Sequence, residues 1–116
     1  MNARSNLAEA LVPVEVCTLA DLKPGVGVCA LVKGQQVAIF RLPNDDIFAI
    51  GNLDPFSGAN VISRGLTGDL KGRKVVASPL YKQHFDLATG ECLEEEGVSL
   101  PTWPVQVMGD RICVLA

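Results

Sequence analysis

Metal and redox chemistry needs thiolates or imidazoles held a few residues apart, and this 116-residue chain offers four cysteines and one histidine. Cys17, Cys29, Cys92 and Cys113 show no C-x-x-C or C-x-H spacing, so a metal site made from them is not expected. Two disulfides are arithmetically possible, but residues 1–13 lack the apolar core of a secretory signal. The four thiols therefore read as small buried apolar side chains in a reducing cytoplasm. Oxygen chemistry is more concentrated. Asp54, Ser78 and Tyr81 stand in two proline-bearing stretches, N-L-D-P-F-S-G at 52–58 and S-P-L-Y-K-Q at 78–83, with His84 directly after the second. These groups could meet as a metal or catalytic site. Alternatively, Phe56 and Tyr81 pack together while Ser78 or Asp54 bonds Tyr81 or the loop amides. The packed arrangement is the expectation, because the ligand set is poor and His84 has no nucleophile or carboxylate at a motif spacing. His84 then reads as a structural or surface histidine.

The elements that must position these stretches are short strands. Residues 14–19 read as a first strand, and 21–25 as a turn built on Pro24 and Gly25. Residues 27–32 and 35–42 form a hairpin about Lys33-Gly34, and 47–50 return after the turn at 43–46. Residues 51–68 break the pattern and form a long loop of the kind that often carries function, with 60–65 a strand or short turn inside it. Residues 66–73 read as polar and turn-rich. The apolar run 75–77 is a strand stopped by Pro79, 84–86 is another, and 88–90 is a turn. Residues 91–93 end a strand, 94–97 form an acidic turn, and 98–101 connect to strands at 103–108 and 111–115 about Gly109-Asp110. No window keeps a helical period with caps, so the expected class is all-β, an antiparallel sandwich or barrel. Residues 1–12 read as a tail and 13–116 as one domain.

Composition narrows the partners. The net charge is −3, with no basic patch to neutralise phosphates, which argues against nucleic acid. No apolar stretch has the length of a membrane span. The run Glu94-Glu95-Glu96 reads as a solvated turn.

The two proline-bearing stretches resemble the paired metal boxes of Rieske proteins, written N-x-C-P-H-x-G and C-P-x-H-x-x-x-F-D-L-x-T-G. Asn52, Pro55 and Gly58 match the first; Pro79, Phe85, Asp86, Leu87, Thr89 and Gly90 match the second. The four ligand positions do not match: Asp54 and Ser78 stand for the cysteines, Phe56 and Tyr81 for the histidines. A Rieske cluster takes two thiolates on one iron and two imidazoles on the other, so hard oxygens and a phenyl ring do not replace them. The resemblance implies a Rieske-like fold, with two loops at the former cluster-binding end and no iron–sulfur cluster.

Further residues sharpen the resemblance. Asp54-Pro55-Phe56, Ser63-Arg64-Gly65 and Ser78-Pro79-Leu80 are together similar to the small subunit of assimilatory NAD(P)H-dependent nitrite reductase. That resemblance implies a chain without catalytic residues, metal or cofactor of its own. It also implies a large-subunit partner carrying flavin, an iron–sulfur cluster and sirohaem, which reduces nitrite to ammonia in the cytoplasm. Two other classes stay open: a stand-alone Rieske-like interaction module and a Rieske-type ferredoxin. A loop pair that keeps its shape without metal is held by internal packing or is covered by another chain. Phe56, Leu80 and Tyr81 are accordingly candidates either to plug the vacated site or to dock the partner.

Overall fold

The computed structural model describes residues 11–80 and 82–116. Residues 1–10 and Tyr81 lie outside the described residues, so most of the expected tail and one of the four ligand-position residues are not described. Among the described residues ten strands run in chain order: β1 (Pro13–Thr18), β2 (Val28–Val32), β3 (Gln35–Arg41), β4 (Ile47–Gly51), β5 (Leu66–Leu70), β6 (Arg73–Ala77), β7 (His84–Asp86), β8 (Thr102–Trp103), β9 (Val105–Met108) and β10 (Arg111–Leu115). Single 3₁₀ turns lie at Leu19–Asp21 and Ile62–Arg64. Every strand pairing is antiparallel, as the all-β reading expects.

The strands form three sheets, ordered β1-β10-β9, β2-β3-β4-β8 and β5-β6-β7. The second sheet is central, and the burial pattern of β3 shows why. Val37, Ala38, Ile39 and Phe40 are all buried, which a strand does only when both faces of its sheet are covered. Side chains alternate between the faces. Val37, Ile39 and Ala49 pack with Ile112 and Val114 of β10 and with Leu22. Ala38, Phe40 and Ile50 pack with Ile62, Val76, Phe85, Leu87 and Leu100. The second core therefore holds the β5-β6-β7 sheet, and the second candidate loop it carries, against the central sheet that carries the first.

The turns follow from their residues. Lys33 and Gly34 both have positive φ, 49° and 83°, the pattern of the tight turn whose twist matches a β-hairpin. Lys71 and Gly72 repeat it, at 56° and 79°, between β5 and β6. This is where the structure differs from expectation. Residues 66–70, read as turn-rich, form edge strand β5, in register from Leu66 opposite Ala77 to Leu70 opposite Arg73. A polar edge strand satisfies only one ladder and buries little, so its composition resembles a loop. Of the two readings of 60–65, the short turn holds: Ile62–Arg64 form a 3₁₀ turn, and Asn60 makes an isolated bridge to Leu53. The expected strand 103–108 is two: Pro104 breaks the ladder, leaving β8 on β4 in the central sheet and β9 on β10 in the outer one.

The F-D-L-x-T-G stretch builds a capped turn. Asp86 Oδ1 accepts the amides of Ala88 (2.7 Å) and Thr89 (2.9 Å), and Oδ2 accepts Arg73 Nε at 2.6 Å. Burial pushes this carboxyl up. The Arg73 hydrogen bond, the Thr89 and Ala88 amides and the Arg73 charge outweigh it and hold Asp86 below the usual carboxylate range. Gly90 closes the turn at φ 84°, where a Cβ would fall 1.9 Å from the Leu100 carbonyl oxygen.

Candidate functional site

Two loops leave the ends of β4 and β6 and are built alike. In the first, the Asp54 amide donates to the Ala59 carbonyl (2.8 Å), and the Gly58 amide to the Asp54 carbonyl (2.8 Å). The Asp54 side chain accepts the Phe56 amide at 2.9 Å. In the second, the Ser78 amide donates to the Gln83 carbonyl (2.9 Å), and the Lys82 amide to the Ser78 carbonyl (3.1 Å). The Ser78 hydroxyl accepts the Leu80 amide at 3.3 Å. Each loop therefore opens on an oxygen-bearing residue followed by proline, whose side chain bonds the amide two positions on. Each closes through a left-handed residue, Gly58 at φ 75° and Lys82 at φ 66°.

The loops are joined at their first residues. Ser78 Oγ donates to Asp54 Oδ2 at 2.6 Å, and both residues are 0 % exposed. A hydroxyl–carboxylate bond this short, with no water to compete, is a strong cross-link. The Phe56 ring turns inward onto the core, 6.3 Å from Phe85 between centroids. Leu80 is half exposed, and so is Leu53 on the first loop, a residue the sequence reading did not single out. Asn52 is 2 % exposed and ties the base of the first loop. Its Nδ2 donates to Gln36 Oε1 at 2.9 Å, and its Oδ1 accepts the Ser63 amide at 2.7 Å. The Asn–Gln–Ser tie lacks a spacing signal, because its members come from β3, the first loop and the 3₁₀ turn.

His84 is not brought to Asp54 and Ser78. Its Nδ1 lies 2.6 Å from Glu94 Oε2, and its amide donates to Glu94 Oε1 at 2.7 Å. Burial pushes the Glu94 carboxyl up, but these two bonds and the His84 charge prevail and hold it low. The carboxylate companion that no motif spacing predicted is thus the acidic turn, which is pinned to the base of the second loop. Ser78 donates its hydroxyl to Asp54 with both residues buried, so a substrate on the surface does not reach the Ser78 oxygen.

Among the described residues no three of His, Cys, Asp or Glu come together as metal ligands. The cysteines are free, and the one that reaches a candidate loop is Cys29, whose sulfur accepts Asn52 Nδ2 at 3.4 Å at the base of the first loop. Cys92 and Cys113 are buried and Cys17 half-buried, whereas Cys29 is exposed, which corrects the reading of all four as buried. Burial and the neighbouring Asp21 charge push the Cys17 thiol up, away from the thiolate that binds metal. The residues at the ligand positions do not fit a [2Fe-2S] cluster. Two hard oxygens are hydrogen-bonded to each other, and a phenyl ring offers no donor.

Three sheets with paired loops at one end define a Rieske-type domain, and residues 13–115 match the family described as Rieske-like [2Fe-2S] domain. The nitrite reductase (NADH) small subunit of Salmonella typhimurium strain LT2 is 50% identical over 93 residues, covering 79% of this chain and 86% of that protein. A crystal structure of a putative NADH-dependent nitrite reductase small subunit from Mycobacterium tuberculosis superposes with a TM-score of 0.88. It is 46% identical, over 91% of this chain and 96% of that one. A nitrite reductase [NAD(P)H] large subunit from Klebsiella oxytoca is 38% identical over 99 residues, 85% of this chain and 10% of that protein. The chain belongs to the Rieske-like small-subunit family of NADH nitrite reductase.

Proposed function

We propose that this chain is a cluster-free small subunit, cytoplasmic and without catalytic residues or redox cofactor of its own. It binds a large subunit that carries the flavin, iron–sulfur and sirohaem centres and reduces nitrite to ammonia. The observation that carries this reading is the Ser78–Asp54 hydrogen bond, which spans the two loops at the positions where a Rieske protein has its thiolates. The donor chemistry argues against a ferredoxin-type electron carrier. The Klebsiella large subunit, with a segment similar to this chain on its own polypeptide, supports a large-subunit partner over a stand-alone module. No helix among the described residues is long and apolar enough to cross a membrane.

Two experiments test the reading. The chain purified from iron-replete cells is colourless and holds no stoichiometric iron; a visible iron–sulfur spectrum overturns the cluster-free assignment. Pull-down from nitrate-grown cells recovers a sirohaem flavoprotein; its absence overturns the subunit assignment. Of the described candidate docking residues, Leu80 is the exposed one, and Leu80→Asp is expected to weaken capture of the large subunit; unchanged capture removes the loop tips from the interface.

A further inference from the structure

Among the described residues, sulfur meets sulfur on the outer sheet, where Cys113 Sγ lies 3.8 Å from Met108 Sδ. The sulfurs of Cys29 and Cys92 meet nitrogen or oxygen instead, Asn52 Nδ2 and Gln36 Oε1 for the first and Glu94 Oε1 for the second. The hairpin of β9 and β10 makes the sulfur pair. Cys113 stands opposite Gln106, and Met108 is two residues beyond Gln106 on the same strand. The two side chains therefore share a face as diagonal neighbours. That face looks away from the core, because Ile112 and Val114 on either side of Cys113 point into it. Both residues line a groove of about 400 Å³ together with Pro13, Glu15 and Arg111. Met108 is half exposed and Cys113 buried, so the thioether is the sulfur that a solute reaches first.

We infer that Cys113 and Met108 form a binding site for a soft monovalent metal ion of the copper(I) class. The site is independent of the subunit reading above. Thiolate and thioether are the donors that select copper(I) over harder ions. Two sulfurs 3.8 Å apart both reach one ion at the roughly 2.3 Å of a metal–thiolate bond. The donor count disfavours zinc, which takes four ligands, since no three of His, Cys, Asp or Glu converge among the described residues. The hard donor of the groove, Glu15, has Arg111 Nη1 3.6 Å from its carboxylate. Binding breaks the Cys113 S–H bond, forms a sulfur–metal bond and releases the proton to solvent, with no change of oxidation state. Thiolate and monovalent ion together carry no net charge, which suits a buried sulfur. The spacing of the cysteines does not announce the site, because its second ligand is a methionine on the other arm of a hairpin.

The test titrates the reduced full chain with up to one equivalent of copper(I), without oxygen, against bicinchoninate as the competing chelator. The native chain takes up the ion, and Met108→Leu, which nearly keeps the side-chain volume, weakens binding by about tenfold or more. Cys113→Ser abolishes it. Cys29→Ser, which removes the exposed thiol elsewhere, leaves it unchanged. Zinc(II) offered instead shows no binding that depends on Met108. Copper(I) also raises the melting temperature of the native chain and not that of Met108→Leu, because an ion held by the folded state alone stabilises it. Native affinity in Met108→Leu, equal loss in Cys29→Ser, Met108-dependent zinc binding, or no uptake against the chelator overturns the inference. The sulfur pair is then a packing contact only. Melts without metal separate a lost ligand from a lost fold, and if Cys113→Ser unfolds, Met108→Leu decides.

Discussion

The rings of Phe56 and Phe85 lie 6.3 Å apart and tilted by 40°, so the first loop is fastened through an aromatic contact to the strand that follows the second. Phe56 occupies a position that resembles a Rieske histidine ligand, and it plugs the loop junction onto the core instead of offering a nitrogen. Removing the ring leaves a void under both loops. Phe56→Ala is expected to lower stability by about 1–3 kcal/mol, with Phe56→Leu recovering most of it. Urea unfolding measures both, and an unchanged midpoint for Phe56→Ala would show that the ring plugs nothing.

The matched construction of the two loops gives a second expectation. Lys82 holds the left-handed conformation that Gly58 takes in the first loop. A side chain there is strained, so Lys82→Gly stabilises the chain by up to about 1 kcal/mol. Gly58→Ala destabilises it by about 1 kcal/mol, through backbone strain alone since nothing crowds its Cβ position. Chemical denaturation of the pair checks this; opposite signs in both would mean the loops are not built alike.

The acid limb of stability has named contributors. Asp86 is held low by Arg73 and two amides, and Glu94 by His84. A carboxyl whose folded pKa is depressed adds stability that is present above its unfolded value, about 4, and is lost as pH falls through the folded value. Stability is therefore expected to decline below about pH 4, and Asp86→Asn flattens that decline while lowering stability at neutral pH. Melting temperatures from pH 2 to 7 for both chains show it; parallel profiles would remove Asp86 from the account.

The sequence made much of this legible because its signals are local. The Lys33-Gly34 turn, the proline stops and the F-D-L-x-T-G turn each declare themselves within a few residues. Strand β5 was hidden because an edge strand with an exposed leucine and a central glycine carries no clear alternation. Lys71-Gly72, the same dipeptide as the first hairpin turn, was the signal that marked it. At the site, the sequence placed Asp54, Phe56 and Ser78 in two paired proline-bearing loops, as the structure describes them, while Tyr81 lies outside the described residues. It could not pair Ser78 with Asp54, His84 with Glu94, or Asn52 with Gln36 and Ser63, because residues far apart in the chain meet only when the sheets stack. Nor could it separate the inward Phe56 from the outward Leu80.

A buried hydrogen bond between Asp54 and Ser78 fastens the loops that metal fastens in Rieske proteins. A double-mutant cycle tests it most directly, with stabilities of the native chain, Asp54→Ala, Ser78→Ala and the double variant measured by urea unfolding. Each single change is expected to cost about 1.5–3 kcal/mol, and the double variant clearly less than their sum, giving a coupling of about 1–3 kcal/mol. Additive losses, with a coupling near zero, would contradict it.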